Sequence, residues 1–233
     1  MRQINKGTEP ILLTQARAAL LATPGVTDYY ASLDAATRGA IIGQAICEQG
    51  HLCAYTNVRI SSGTCHIEHM YPQSPNCPGQ VTNPLTAIDY TNMVACTPAP
   101  NTETLAFGAH PKANWPCPAD LHLFVRPTDP GVESRFVYAW DGGIAAANSA
   151  DQAAKETIKK LCLDHPELKL LRKGKLEPFH SMTDFKELKK RLDDAKQRGQ
   201  RDEEFCVAKE QVISKRLHAV RQRRKAILRK RRP

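Results

Sequence analysis

The stretch Cys65-His66-Ile67-Glu68-His69-Met70-Tyr71-Pro72 decides how the rest of the chain is read. It sets two imidazoles and a carboxylate within four residues and closes on a proline. Buried, such a cluster is destabilising unless its charges are paired. Metal-assisted chemistry gives it a purpose. A carboxylate and one imidazole can hold a divalent cation, and a neutral imidazole can take a proton from water near pH 7. Glu68 and His69 are adjacent, so on a strand they point to opposite faces, but at a strand end both reach one site.

Upstream of this stretch, Leu12, Ala16, Ala19 and Leu20 recur at helical spacing until Pro24-Gly25. Asp34 is placed to cap a second helix with Ala36, Ala40, Ile41, Ala45 and Ile46 on its apolar side and Gly50 at its end. From His51 to Trp115 helical periodicity gives way to Cys, His, Asn, Pro and Gly. Residues 59–64 read as a turn between extended pieces at 51–60 and 64–70, residues 72–84 as an ordered loop, and residues 89–96 as the start of a short helix. Downstream, 135–140 reads as a strand ended by the turn Asp141-Gly142-Gly143. Asn148 or Ser149 is placed to cap a helix over 150–163. Pro178 and Ser181 precede a charged helix over 183–198 that Gly199 ends, and a last helix begins near Asp202. The predicted class is α+β. Its segments are a helical 1–50, a core at 51–125, an α/β extension at 126–200 and a basic C-terminal helix and tail at 201–233.

The net charge of +9 is concentrated at one end. Residues 211–233 hold ten Lys/Arg and no Asp/Glu, which leaves 23 basic against 24 acidic residues elsewhere. Arg221, Arg223, Arg224 and Lys225 are the candidate contacts to a nucleic-acid backbone; an acidic partner, an anionic lipid surface or RNA would suit the same tail. No stretch reaches the ~20 apolar residues of a membrane span. Residues 1–10 lack the apolar middle of a secretory signal, so a cytosolic protein is expected, with its eight cysteines as thiols or metal ligands rather than disulfides.

The spacing Glu68-His69-Met70-Tyr71-Pro72, the later Asn92-Met93, and His110 followed by Lys112 resemble the HNH endonucleases. The resemblance implies a ββα-metal core of two short strands and a helix. It implies His69 as general base, Glu68 and His110 as ligands of one Mg²⁺ or Mn²⁺, and Asn92 as a brace for the loop carrying His69. His66 would be a supporting residue, and the rival base if the register shifts. Lys112 would be a phosphate contact or a solvated charge. Ile4-Asn5-Lys6-Gly7-Thr8-Glu9-Pro10, Glu48-Gln49, Cys53-Ala54-Tyr55, Thr157-Ile158-Lys159-Lys160-Leu161, Leu163 and Arg172 extend the similarity. They look like the nuclease subunit of Septu-type anti-phage defence systems, also found beside some retrons, whose partner is an ABC-type ATPase.

Two departures stand out. The family commonly carries Cys-Ala-Tyr-Cys where this chain reads Cys53-Ala54-Tyr55-Thr56, and the wider group uses two Cys pairs for a structural zinc. Cys53 and Cys96 are then the candidate zinc ligands, with Cys65, Cys77 or Cys117 as substitutes. The 18-residue step from Asn92 to His110 is also longer than in compact HNH proteins. The expected function is metal-dependent hydrolysis of DNA phosphodiester bonds. Alternatives are a stand-alone restriction or homing-type nuclease, an RNA (tRNA) nuclease, and a non-catalytic nucleic-acid-binding adaptor with a structural metal.

Overall fold

Helices α1 (Ile11–Ala22) and α2 (Ala35–Glu48) form where the periodicity puts them, in a computed structural model that describes residues 1–73, 83–197 and 203–230. Asp34 caps α2 by accepting from Thr37 N at 2.7 Å. The buried side of α1 is Leu13 rather than Leu12. Leu13 closes against Leu33, Ile41, Ile88, Tyr90 and Met93, while Leu12 stays outside. Neighbouring leucines fit a helical stripe equally well, and only the packing separates them. On α2 the buried residues are Thr37, Ile41, Ala45 and Ile46, and Ala36 is exposed.

Strand β1 (His66–His69) pairs antiparallel with β2 (Met93–Cys96), His66 opposite Cys96 and His69 opposite Met93. This corrects two expectations. Residues 51–60 are a turn closed by a single Leu52–Arg59 bridge, and residues 89–96 are a 3₁₀ turn at Tyr90–Asn92 running straight into β2. All four β2 residues are buried, so the strand has no polar alternation to distinguish it from a buried helix.

The far edge of β2 is closed by a side chain. Gln49 Oε1 accepts from Ala95 N at 2.8 Å, and its Nε2 donates to Ala95 O at 2.8 Å and Leu52 O at 2.7 Å. The N-terminal segment straps the same strand from outside. Lys6 Nζ lies 3.0 Å from Glu48 and donates to Met93 O at 3.1 Å, and Gly7 N donates to Glu48 at 2.9 Å. The Lys6-Gly7 and Glu48-Gln49 pairs thus hold one strand. A one-turn helix, α3 (Ala109–Lys112), follows from Gly108, whose φ of +84° suits glycine.

Strands β3 (Phe136–Tyr138) and β4 (Ile144–Ala146) form a second hairpin through Asp141-Gly142-Gly143. Gly142 has φ +84°, and a Cβ there would sit 2.1 Å from Lys169 O. Helix α4 (Gln152–Lys160) is capped by Asp151, not by Asn148 or Ser149. Asp151 accepts from Ala154 N at 2.9 Å and also holds Arg135 Nε at 2.8 Å, so a tertiary ion pair fixes the cap. Helix α5 (Pro166–His180) has no counterpart in the sequence reading. Pro166 opens it, and Leu168, Arg172 and Leu176 bury one face at four-residue spacing. The Arg172 guanidinium donates to Gly142 O and Leu163 O, which ties α5 to the hairpin turn. Helices α6 (Phe185–Gln197) and α7 (Cys206–Lys230) pack together through Leu188, Leu192, Ile213 and Val220. The stop and start signals at Gly199 and Asp202 lie outside the described residues.

The described residues form a mixed α+β chain with two small antiparallel sheets. One core draws Ile4, Ala45, Val94, Phe136, Leu168 and Val212 from all four segments of the sequence. Among the described residues, no helix is long and apolar enough to cross a membrane.

Candidate active site

His69 ends β1 and is 8% exposed. Its Nε2–H donates to Ala87 O at 2.9 Å. In the neutral ring that bond leaves the lone pair on Nδ1, which accepts from Gln73 Nε2 at 3.0 Å. The Tyr30 ring stands perpendicular to the imidazole, with centroids 4.9 Å apart. Burial pulls the His69 pKa below its ordinary value of 6.5 and outweighs the bond to Ala87 O and the Glu68 charge, which raise it; Lys112 and His66 add to the lowering. The lowered pKa favours the neutral ring, with one nitrogen anchored on Ala87 O and the other, capped by Gln73, carrying the lone pair a base needs.

Asn92 sits where β2 begins and is 3% exposed. Its Oδ1 accepts from Tyr71 N at 2.7 Å, and its Nδ2 donates to Tyr71 O at 2.9 Å and Thr86 O at 3.2 Å. Met70 N donates to Asn92 O at 2.9 Å. One side chain thereby fixes the backbone just after His69 and the segment that holds Ala87.

Glu68 shares a face of β1 with His66. Its two oxygens have different neighbours, Lys112 Nζ at 2.7 Å from Oε1 and His66 Nε2 at 3.6 Å from Oε2. Burial pushes the carboxyl pKa up, but His66 and Lys112 outweigh it and leave it below the usual 4.5. His66 donates Nδ1–H to Pro98 O at 2.6 Å. Burial lowers its pKa, yet the bonds to Glu68 and Pro98 outweigh that and raise it.

Lys112 is placed inside the protein. It is 2% exposed, pairs with Glu68 and donates to His69 O at 2.9 Å. It is neither a solvated charge nor a surface group, because α3 carries it under the end of β1. His110 stacks on His66, with centroids 6.4 Å apart and planes 18° apart. His110 Nδ1 accepts from Leu105 N at 2.9 Å, which puts the proton of the neutral ring on Nε2.

A cleft of about 270 Å³ opens beside these groups, lined by Glu68, His69, Pro72, Gln73, Ala113 and Asn114. Gln73 and Asn114 were not singled out from the sequence. Their signal was proximity alone, Gln73 four residues after His69 and Asn114 two after Lys112. His66 and His110 are not among the lining residues. A larger cleft of about 380 Å³ at β3, β4 and α7 is lined by Trp140, Asp141, Asp164 and Lys215 among apolar neighbours, with no imidazole.

Among the described residues, no three His, Cys, Asp or Glu side chains gather to hold an ion. The pair best suited to one is Glu68 Oε2 with His66 Nε2. With metal–ligand bonds of about 2.1 Å, two donors on one ion sit roughly 3–4 Å apart, and these two are 3.6 Å apart. The Pro98 carbonyl orients the imidazole as an outer partner of a metal-bound histidine does. His110 fits less well, because its ligating nitrogen would be the one carrying the proton.

Cys53 and Cys96 come together, both 0% exposed. Burial pushes the Cys53 thiol up, but hydrogen bonds from Cys96, Thr56 and the Thr97 backbone bring it down to about 6. Cys65 is also buried, Cys77 lies outside the described residues, and Cys47 is exposed. Cys117 is disulfide-bonded, which corrects the expectation of eight thiols or metal ligands. The compartment rule concerns surroundings; local geometry decides whether two sulfurs meet. On α7, Arg221, Arg223, Arg224 and Lys225 are exposed and follow the buried Val220. Arg224 lies over the Phe185 ring at 5.3 Å. No family model and no curated protein matches the chain.

Proposed function

We propose that the protein is a metal-dependent nuclease of the HNH type, cutting DNA as the effector of an anti-phage defence complex with an ABC-type ATPase. The observation that carries this reading is the pairing at the end of β1: a neutral, anchored His69 beside an ionised Glu68, on a backbone clamped by Asn92. The order β1, β2, α3 agrees with a ββα-metal core, with α3 bringing Lys112 back to Glu68.

In this mechanism His69 Nδ1 takes a proton from water while Nε2–H stays on Ala87 O, and the developing imidazolium is stabilised by Glu68. Gln73, now on Nδ1, hands that position to the water and can orient it. Asn92 keeps the Tyr71 backbone from drifting, which holds Nδ1 on line with the cleft. Glu68 with His66 would hold Mg²⁺ or Mn²⁺, water filling the remaining positions; the ion would offset charge on the scissile phosphate and on the leaving oxygen. Lys112 keeps Glu68 ionised and oriented from inside. Among the described residues, Cys53 and Cys96 supply two of the four ligands a structural zinc takes. The exposed arginines and lysine of α7 suit the phosphate backbone.

Incubating the purified protein with plasmid DNA, its ATPase partner and ATP tests the reading. Cleavage in Mg²⁺ or Mn²⁺ that stops in EDTA supports it. Preferential cleavage of RNA reassigns the substrate, and binding without cleavage in any metal favours an adaptor.

A further inference from the structure

Behind the site, Cys53 and Cys96 form a pair that the nuclease reading does not use. Cys53 lies in the 51–60 turn, fixed by its own N–H to Val58 O at 2.8 Å and by Asn57 N to its carbonyl at 3.0 Å. Cys96 ends β2. Ala54 N donates to Ala95 O at 3.2 Å, which brings the two backbones to strand spacing at the neighbouring residues. The Cα atoms of Cys53 and Cys96 flank that hydrogen bond. A disulfide needs Cα atoms about 4.4–6.8 Å apart, a separation that residues on either side of one backbone hydrogen bond can meet. Both thiols are fully buried, and Cys96 is among the groups close enough to act on the Cys53 sulfur. A metal is the weaker occupant, since no third ligand completes a cluster among the described residues.

We propose that Cys53 and Cys96 are a redox pair that closes to an intramolecular disulfide under a peroxide-class oxidant. The Cys53 thiolate attacks one peroxide oxygen, the O–O bond breaks, and Cys53 sulfenic acid forms as the departing hydroxide is protonated to water. The Cys96 sulfur then attacks the Cys53 sulfur and displaces hydroxide, which takes the Cys96 proton and leaves as a second water. Two thiols lose two electrons and two protons, and the peroxide is reduced to two waters. A dithiol reverses the bridge. It ties the 51–60 turn to the strand that pairs with His66 and Glu68, so it forms directly behind the candidate site.

The full chain is treated with hydrogen peroxide, its remaining thiols are trapped with N-ethylmaleimide in denaturant, and its peptides are weighed. The expected product is a Cys53–Cys96 linked peptide, two hydrogens lighter than the sum of the reduced pair and lost on dithiothreitol treatment. In Cys96→Ser the linked peptide is missing and Cys53 carries sulfenic acid. The wild-type readout stands even if that variant fails to fold. Recovery of both cysteines as alkylated thiols after the exposed Cys47 is fully oxidised overturns the proposal, as does linkage of Cys53 to Cys65.

Discussion

Replacing Lys112 with methionine removes a buried ammonium and keeps most of its volume. Lys112 is 2% exposed, 2.7 Å from Glu68 Oε1, and donates to His69 O at 2.9 Å. Breaking a buried pair from one side costs about 3–5 kcal/mol, because the other charge is left unpaired. The carbonyl of His69 also loses a donor, worth about 1 kcal/mol. His66, 3.6 Å from the second Glu68 oxygen, offsets part of this. The net loss is then about 4 kcal/mol, a large share of the ~5–15 kcal/mol of a folded domain. In urea denaturation at pH 7, with a slope of about 3 kcal/mol/M, the midpoint falls by roughly 1.3 M. The double variant Lys112→Met/Glu68→Gln leaves no charge stranded and recovers about 2 kcal/mol or more. The pH dependence has a definite sign. The Glu68 pKa is depressed in the folded state, so its contribution is full above the ordinary 4.5 and fades as pH falls through the lower folded value. The gap between wild type and Lys112→Met therefore narrows in acid. A Lys112→Met protein within 1 kcal/mol of wild type, or a double variant no more stable than the single one, would refute the reasoning.

Asn92→Ala removes three side-chain hydrogen bonds around Tyr71 and Thr86 and lowers stability by about 2–3 kcal/mol in the same urea assay. Gly142→Ala forces a Cβ onto Lys169 O at a positive φ and costs about 2 kcal/mol or more, read as a fall in Tm. Burial holds His69 below its ordinary 6.5, so the base form persists into mild acid. The cleavage rate stays level from about pH 8 to below 6.5 before it drops; an acid limb centred above 7 speaks against His69 as base. Changing the exposed Arg221, Arg223 and Lys225 to serine leaves the urea midpoint unchanged and lowers the salt slope of DNA binding by up to about 3.

The sequence made the polar skeleton of the site legible because each of its parts carries a rare residue type. Glu68 and His69 end β1, and Asn92 clamps the backbone that follows them. Asp34 and the Asp141-Gly142-Gly143 turn were readable because capping and tight turns are local. Lys112 was misread because no local rule reports burial, and a lysine looks solvated until a carboxylate meets it from another strand. β2 was misread because burial on both faces erases alternation. The same limit hid α5, whose buried stripe includes Arg172; its burial rests on carbonyls from two distant turns. Gln73 and Asn114 became visible only once the cleft formed, and His66 shifted from a support beside His69 to the partner of Glu68.

The most direct test compares plasmid cleavage by wild type and His69→Ala, with the ATPase partner and Mg²⁺, after circular dichroism has shown both to be folded. The account predicts that the variant binds DNA as wild type does and cuts at least ~100-fold more slowly. Equal cleavage rates would contradict it.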